Sequence, residues 1–158
     1  MAGALQTGDK APDFSLPSDE GADVRLEDLS GKTVVLYFYP KDDTTGCTNE
    51  AKAFTAAAKD FEKAGAVVLG VSKDTVKSHA KFRNKYGLEV RLGSDVEGEM
   101  IERYGVWVEK SMYGRKYMGI ERATYLIDGA GVIRRVWRKV SVPGHVEEVL
   151  EAARALKG

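Results

Sequence analysis

The order of the apolar runs is the feature of this chain that most constrains its fold. The run TVVLYFY at residues 33–39 is β-branched and aromatic without alternation, which is typical of a central strand covered on both faces. AVVLGVS at residues 66–72 is a second run of this kind. Residues 47–64 carry apolar side chains at helical spacing, and residues 74–86 form a second predicted helix. This strand, helix, strand, helix order with short connections predicts a right-handed crossover and a parallel sheet core.

Capping and turn residues mark the ends of the next elements. Asp74 is the predicted N-cap of the second helix, and Gly87 is its predicted C-terminal stop. Residues 95–104 form a shorter predicted helix. The aromatic, basic and glycine-broken segment at residues 105–122 is predicted to be an extended loop or an irregular strand.

The last part of the chain predicts a hairpin and a docking helix. ATYLID at residues 123–128 and VIRRVWRKV at residues 132–140 are strands joined by the turn residues GAG. A helix with one apolar face follows Pro143 and Gly144. We therefore expect an α/β fold with a central mixed β-sheet, helices on both faces, and a single domain spanning residues 1–158.

Charge balance and hydropathy exclude several classes of partner. Lysine plus arginine and aspartate plus glutamate both number 24 in 158 residues, so there is no electrostatic reason to expect a nucleic acid or an anionic membrane. The longest apolar run, residues 34–39, is far too short to cross a bilayer, and the N-terminus lacks a signal-peptide pattern. We expect a cytoplasmic protein, whose free thiol stays reduced and whose partners are small molecules or other proteins.

Cys47 is the only cysteine, which excludes an intrachain disulfide, and it lies between a predicted strand and a predicted helix. The reactive form of a cysteine is the thiolate, and a free cysteine has a pKa of about 8.5, so reactivity at neutral pH needs a positive local potential. If Thr44 is the N-cap, its hydroxyl accepts a hydrogen bond from the backbone N–H of Cys47. The sulfur then lies at the positive end of the helix dipole, where an anion is favoured.

Two other interpretations of Cys47 are open at this point. A lone cysteine often behaves as a small buried hydrophobe, although the polar, turn-forming residues 42–46 place this one outside an apolar stripe. A cysteine hydrolase or acyl transferase would need His79 or His145 within hydrogen-bond reach of the sulfur. We expect both histidines to be exposed or capping residues, and their spacing from Cys47 predicts no metal site.

A cysteine without a neighbouring base can still attack a peroxide. The thiolate attacks the O–O bond directly and becomes a sulfenic acid. Such a site needs hydrogen-bond donors and a fixed positive charge for the oxygens that gain charge. Backbone N–H groups at a helix start and one arginine would supply both.

An aromatic and methionine-rich stretch has two open interpretations. In the first interpretation, the stretch lines the path of the substrate or a surface that binds a partner. In the second, its side chains have an ordinary structural role in the core and in a loop. Its members are Trp107, Met112, Tyr113, Tyr117 and Met118.

The motif PKDDTTGC places Pro40, Thr44 and Cys47 in the Pro-x-x-x-Thr-x-x-Cys spacing of peroxiredoxins. Together with GDKAPDFSLPSDEG, YGVWVEKSMYGRKYMGIERATYLID and GHVEEVLEA, this motif makes the chain resemble the bacterioferritin comigratory protein (Q-type) class nearly end to end. The resemblance implies a thioredoxin-like fold and an antioxidant thiol peroxidase that reduces hydrogen peroxide and organic hydroperoxides.

The resemblance also implies roles for individual residues. Cys47 matches the peroxidatic nucleophile, Thr44 the residue that binds the peroxide and orients the thiolate, and Pro40 the residue that shields the sulfur from solvent. Arg122 matches the arginine that holds the thiolate and polarises the peroxide. Glu50 matches a position with a supporting role near that arginine.

One departure from the family pattern lies in the turn before the cysteine. The family usually has proline between the threonine and the glycine, and this chain has Thr45 there. In the N-cap interpretation this is the first helical position, where proline presets the helical φ. The turn then loses some rigidity but keeps its capping threonine, and Gly46 stays among the supporting residues. We expect activity to survive the change.

A second departure affects the end of the catalytic cycle. Family members carry a resolving cysteine where this chain has Lys52, or on the next helix, where this chain has Arg83. A sulfenic acid on Cys47 would therefore need an external thiol, such as thioredoxin, glutaredoxin or a glutathione-like molecule, and would be prone to overoxidation. A catalytically silent thioredoxin-like binding module is the alternative. We expect no cofactor or metal, and a monomer or weak dimer.

Overall fold

The computed structural model describes residues 5–157. The first four residues and the last one, which the predicted domain 1–158 includes, lie outside the described residues. In chain order, the strands are β1 (Ser15–Leu16), β2 (Val24–Arg25), β3 (Thr33–Phe38), β4 (Ala66–Ser72), β5 (Arg91–Ser94), β6 (Trp107–Met112), β7 (Arg115–Ile120), β8 (Ala123–Ile127) and β9 (Ile133–Trp137). The α-helices are α1 (Thr45–Ala56), α2 (Ala58–Lys63), α3 (Val76–Tyr86), α4 (Glu99–Arg103) and α5 (His145–Lys157), and Leu26–Leu29 form a short 3₁₀ helix.

The central sheet has five strands in the order β5-β4-β3-β8-β9. β3, β4 and β5 are parallel neighbours, whereas β8 is antiparallel to both β3 and β9. The prediction of a mixed sheet with a parallel core is confirmed, as is the hairpin made by the segments 123–128 and 132–140. The terminal helix α5 is also confirmed, and it buries Val146 and Val149 against the sheet.

Alternate side chains of β3 enter two separate hydrophobic cores. Val34, Leu36 and Phe38 pack in one cluster, to which helix α4 contributes. Val35 and Tyr37 pack in the other cluster, together with helices α1, α2, α3 and α5. The prediction that this strand is covered on both faces is therefore confirmed, and it explains why the apolar run is unbroken.

Two predicted helices are shorter in the structure. The segment 47–64 is broken at Ala57, which has φ −96° and ψ 6° and whose N–H is shared between the carbonyl oxygens of Ala53 and Phe54. Alanine is a strong helix former, so nothing in the sequence marks this break. The segment 95–104 contains only the five-residue helix α4.

The N-cap of helix α3 lies one residue later than predicted. Thr75 is its N-cap, and the Thr75 hydroxyl accepts a hydrogen bond from the backbone N–H of Ser78 at 3.1 Å. Asp74, the predicted N-cap, instead accepts a hydrogen bond from the backbone N–H of Asp42 at 2.8 Å. The Asp74 carboxylate therefore binds a segment that is distant in sequence and does not cap the helix. Gly87 is confirmed as the stop, with a left-handed φ of 62°.

The segment 105–122 is a regular hairpin, not the predicted loop or irregular strand. β6 and β7 are antiparallel, and their last pair is Met112 with Arg115. Tyr113 (φ 52°) and Gly114 (φ 77°) form the two-residue turn. Two consecutive residues with left-handed φ match the twist of a hairpin. Tyrosine rarely occupies such a position, so the sequence did not indicate a turn here.

Replacement of Phe54 by alanine tests the packing of the second core. The Phe54 ring is fully buried, stacks on Tyr37 with ring centroids 4.7 Å apart, and meets Phe61 at 5.7 Å. We expect Phe54→Ala to lower the free energy of unfolding by about 3–5 kcal/mol, because the lost ring leaves a cavity. Urea denaturation measures this. The control Tyr113→Ala, at a side chain that is 99% exposed, should change it by less than about 0.5 kcal/mol.

Candidate active site

The first turn of α1 carries Cys47 and buries it to 1% exposure. Thr44 occupies the N-cap position with an extended backbone, as predicted, but it makes no side-chain capping bond. Its hydroxyl instead donates to the carbonyl oxygen of Lys41 at 2.8 Å. The predicted bond from the Cys47 N–H to the Thr44 hydroxyl is therefore wrong. This bond lies within the loop before the helix, and Thr44 is exposed whereas Cys47 is buried.

Arg122 joins Cys47 to Glu50. Its Nη2 lies 3.2 Å from the Cys47 sulfur, and its Nη1 donates to Glu50 Oε1 at 2.6 Å. Arg122 directly precedes β8, so the central sheet fixes its backbone, while α1 carries the other two residues. Gly46 makes this approach possible, because a Cβ at that position would lie 3.0 Å from Arg122 Nη2.

The electrostatics of the two charged side chains differ. Burial raises the pKa of Glu50 to about 7, although Arg122 opposes this shift. Burial by itself would lower the pKa of Arg122, but Glu50 and Cys47 hold it above its ordinary value. The arginine therefore stays a cation beside the sulfur, and Glu50 titrates close to neutral pH.

A tyrosine lies behind the site on β3. In the part of the chain that the structure describes, the Tyr37 hydroxyl and Glu50 Oε2 are the buried side-chain polar atoms without a hydrogen-bond partner. Burial raises the pKa of Tyr37 well above its ordinary value, and the negative charge of Glu50 is the second cause of this shift. Gly70 on β4 leaves room for this ring, because a Cβ there would lie 2.6 Å from a ring carbon of Tyr37.

The two histidines are buried, which corrects the expectation that they are exposed or capping residues. His79 is 0% exposed and bonds to Asp42 and Gly93, and His145 is 5% exposed and bonds through Nε2 to Thr124. Burial lowers the pKa of His145. Among the described residues, neither ring makes a hydrogen bond to the Cys47 sulfur, so the base that a cysteine hydrolase needs is missing.

Comparison with known proteins decides the family. A sequence model of the AhpC/TSA family matches residues 7–136. The bcp protein of Coxiella burnetii is 55% identical over 147 residues, covering 93% of this chain and 97% of that protein. Peroxiredoxin Bcp of Bacillus subtilis is 46% identical over 147 residues, covering 93% of this chain and 94% of that one. The chain belongs to the AhpC/TSA family, as a peroxiredoxin of the Bcp (Q) type.

A solved structure agrees with this. The chain resembles the bacterioferritin comigratory protein of Xanthomonas campestris, studied for alkyl peroxide reduction, with a TM-score of 0.87, 42% identity and 92% of each chain covered. The predicted thioredoxin-like fold is confirmed, and the chain is a thiol peroxidase that reduces hydroperoxides. The alternatives of a cysteine hydrolase and of a silent binding module are therefore rejected. None of the helices described between residues 5 and 157 is long and apolar enough to cross a membrane.

Both positions where other peroxiredoxins carry a resolving cysteine hold cations with structural contacts. Lys52 is exposed, and its Nζ lies 5.8 Å from the centre of the Tyr86 ring. Arg83 pairs with Asp19 at 2.6 Å and donates to the carbonyl oxygens of Leu88 and Val90. Arg83 therefore ties the end of α3 to two other segments, and its side chain has a packing role that a cysteine could not fill.

Sequence reasoning missed one cation of the hairpin near the active site. Burial lowers the pKa of Lys110 on β6, and the positive charge of Arg122 lowers it further. Nothing in the alternating pattern of this segment marks the lysine as special. Of the aromatic and methionine-rich stretch, Trp107 is half-buried, while four members are exposed: Met112, Tyr113, Tyr117 and Met118.

The titration of Glu50 makes the stability of this peroxiredoxin depend on pH. The carboxyl binds its proton with a pKa of about 7 in the folded chain, against an ordinary value of 4.5. The folded state therefore holds more protons between these values, so the free energy of unfolding decreases as the pH rises through this range. We expect Glu50→Gln to remove that decrease, so that wild type loses about 3 kcal/mol relative to the variant from pH 4.5 to pH 7.

Urea denaturation at a series of pH values measures this difference. The control is Glu97→Gln, which replaces an exposed carboxyl in the same way. A wild-type free energy of unfolding that stays constant with pH, or rises with it, relative to that of Glu50→Gln would contradict the assignment.

Proposed function

We propose that Cys47 is the peroxidatic nucleophile of this peroxiredoxin and that it reduces hydrogen peroxide and organic hydroperoxides. The observation that carries the proposal is the 3.2 Å contact between Arg122 Nη2 and the Cys47 sulfur. It places a permanent cation beside the one thiol of the chain. The alkyl peroxide reduction for which the Xanthomonas campestris relative was studied supports the organic substrates.

The reaction transfers one oxygen atom to the sulfur. The Cys47 thiolate attacks one peroxide oxygen, an S–O bond forms, and the O–O bond breaks. The sulfur is oxidised by two electrons and becomes a sulfenic acid, because the attacked oxygen is the one that carries the hydrogen of the hydroperoxide and keeps it. The other oxygen leaves as hydroxide or alkoxide and takes up a proton to give water or an alcohol.

Arg122 and Thr44 are the side chains that suit the peroxide oxygens. The Arg122 guanidinium is fixed by its bond to Glu50, so it polarises the peroxide without having to reorganise during the reaction. The exposed Thr44 hydroxyl lies in the loop directly before α1, where it can bind the incoming peroxide and orient the thiolate. Half-buried Pro40 would shield the sulfur from solvent.

Glu50 and Gly46 support this arrangement in different ways. Glu50 accepts from Arg122 Nη1 and thereby directs Nη2 toward the sulfur. Gly46 leaves the space that the guanidinium occupies. Both act on the reaction through Arg122.

An external thiol completes the cycle in our proposal, because the chain has no second cysteine. The first thiol attacks the sulfenic sulfur and releases water, which leaves a mixed disulfide. A second thiol then reduces that disulfide and restores Cys47. Thioredoxin, glutaredoxin and a glutathione-like thiol are the candidate donors. A cytoplasmic location, absence of a cofactor and a monomeric or weakly dimeric state remain predictions.

Intact mass spectrometry tests the nucleophile. One equivalent of hydrogen peroxide should add one oxygen atom to the chain, and dimedone should trap the product at Cys47, because the sulfenic acid has no internal thiol partner. Cys47→Ser should add neither group. Wild-type protein that stays unmodified while Arg122 and Cys47 are intact would overturn the proposal.

Replacement of Arg122 tests the positive charge. Arg122→Met should slow the oxidation of Cys47 by about 100- to 1,000-fold, as the loss of one preorganised donor does in other enzymes. The control Arg103→Met removes an exposed arginine that pairs with Glu99 on the surface. Stopped-flow measurement of both variants against wild type decides the question, and equal rates would remove Arg122 from the mechanism.

A peroxidase assay with separate donors tests the reductant. Thioredoxin, glutaredoxin and glutathione are supplied in parallel, each with its own recycling enzyme and NADPH. At least one should sustain turnover of wild type beyond a single equivalent of peroxide, because Cys47 cannot resolve itself. Turnover without any thiol would contradict the external-donor proposal.

A further inference from the structure

A buried polar cluster lies at the active-site loop, the segment of residues 39–44 that joins β3 to α1. Its centre is the Asp42 carboxylate, which is 7% exposed. Tyr39 donates to Asp42 Oδ1 at 2.6 Å, Ser78 donates to Oδ2 at 2.8 Å, and His79 Nδ1 lies 2.7 Å from Oδ2. Two neighbouring residues of α3 therefore hold one carboxylate of the loop.

The His79 ring is fixed at both nitrogens. Its Nε2 lies 3.1 Å from the carbonyl oxygen of Gly93, and a carbonyl only accepts, so this nitrogen carries a hydrogen. Its Nδ1 faces the Asp42 carboxylate, so one proton lies between those two atoms. The ring thus bridges β5 to the active-site loop and has no freedom to turn.

The loop is held at its backbone as well. The N–H of Asp42 donates to Asp74 Oδ2 at 2.8 Å. Asp43 has a left-handed φ of 59°, and its carboxylate accepts from Lys85 and Tyr86 of α3. Directly before Asp42, the carbonyl oxygen of Lys41 accepts the Thr44 hydroxyl. The orientation of Thr44 therefore depends on a backbone that α3 holds in place.

A metal site is the competing interpretation of this cluster, and the hydrogen bonds argue against it. Ligand atoms of Asp42, Asp74 and His79 lie within 4.8 Å of one another. Asp42 Oδ2 and His79 Nδ1 are bonded to each other, and Asp74 Oδ2 accepts from the Asp42 N–H and from Ser72 Oγ. These atoms already have hydrogen-bond partners within the protein, so no ion is needed to account for their burial.

We propose that His79 and Asp42 are positioning residues for the peroxidase reaction, holding the active-site loop so that Thr44 meets the peroxide at the Cys47 sulfur. The proposal rests on the proposed function of Cys47 and Thr44. The proposal predicts a selective effect. Loss of the His79–Asp42 contact should disturb the geometry that binds the peroxide but leave the Cys47 sulfur and Arg122 in place. Simple destabilisation of the fold has no such selectivity.

A matched pair of variants separates the two contacts of the ring. His79→Asn places an amide nitrogen near the position of Nδ1, so it keeps a donor to Asp42 and loses the contact with Gly93. His79→Gln places its amide near the position of Nε2, so it keeps the contact with Gly93 and loses the one with Asp42. Each variant loses one buried hydrogen bond, and thermal unfolding measures the stability of both.

Two rates are measured for each variant: oxidation of Cys47 by hydrogen peroxide and alkylation of Cys47 by iodoacetamide. We expect His79→Gln to lower the oxidation rate by about 10- to 100-fold while its alkylation rate stays that of wild type. His79→Asn should keep both rates close to wild type. The control Tyr125→Phe loses one buried hydrogen bond, the one from the Tyr125 hydroxyl to the carbonyl oxygen of Tyr104, in the other hydrophobic core, and should also keep both rates.

Several results would overturn the proposal. They are equal oxidation rates in His79→Gln and His79→Asn, slower oxidation in Tyr125→Phe, or a parallel loss of oxidation and alkylation. If His79→Gln does not fold, Ser78→Ala, which removes another donor to Asp42, should show the same selective loss, and an unchanged oxidation rate there overturns the proposal. Failure of wild type to react with peroxide would instead refute the proposed function itself.

Discussion

The contact of Arg122 with Cys47 and Glu50 is the interaction on which the rest of the site depends. It joins a helix start to the beginning of a central strand across 75 residues of sequence. A buried carboxylate and a buried thiolate would each be costly in isolation, and the guanidinium compensates both charges. Glu50 keeps one unpartnered oxygen and a raised pKa, so the compensation is incomplete. Incompletely compensated buried charges of this kind are typical of functional sites.

The central sheet makes this contact possible by holding three elements at one edge. β3 ends beside the loop that leads into α1, β8 begins directly after Arg122, and β4 ends beside Asp74. Parallel and antiparallel neighbours of β3 thus deliver the cation and the loop anchor to the same place. Small residues clear the space between them, since Gly46 admits the guanidinium and Gly70 admits the Tyr37 ring.

The sequence-based predictions were correct where the interactions are local in sequence and less reliable where they are not. Local patterns predicted the buried strands, the stop at Gly87 and the terminal helix, because apolar period and left-handed glycine are properties of short segments. The predictions failed where a distant partner intervened. Asp74 was expected to cap α3, but it accepts from the N–H of Asp42. The Thr44 hydroxyl was expected to cap α1, but it donates to the carbonyl oxygen of Lys41. That partner is close in sequence, but contacts with α3 hold the loop that presents it.

By itself, the sequence determined the fold class, the family and the position of the one thiol at the start of a helix. It also determined that the chain has no second thiol. Only the tertiary structure decided that Arg122 lies 3.2 Å from that sulfur and that His79 is a buried partner of Asp42. The physical reason is that side-chain pairing across distant segments depends on the sheet order and on burial, which no local pattern encodes.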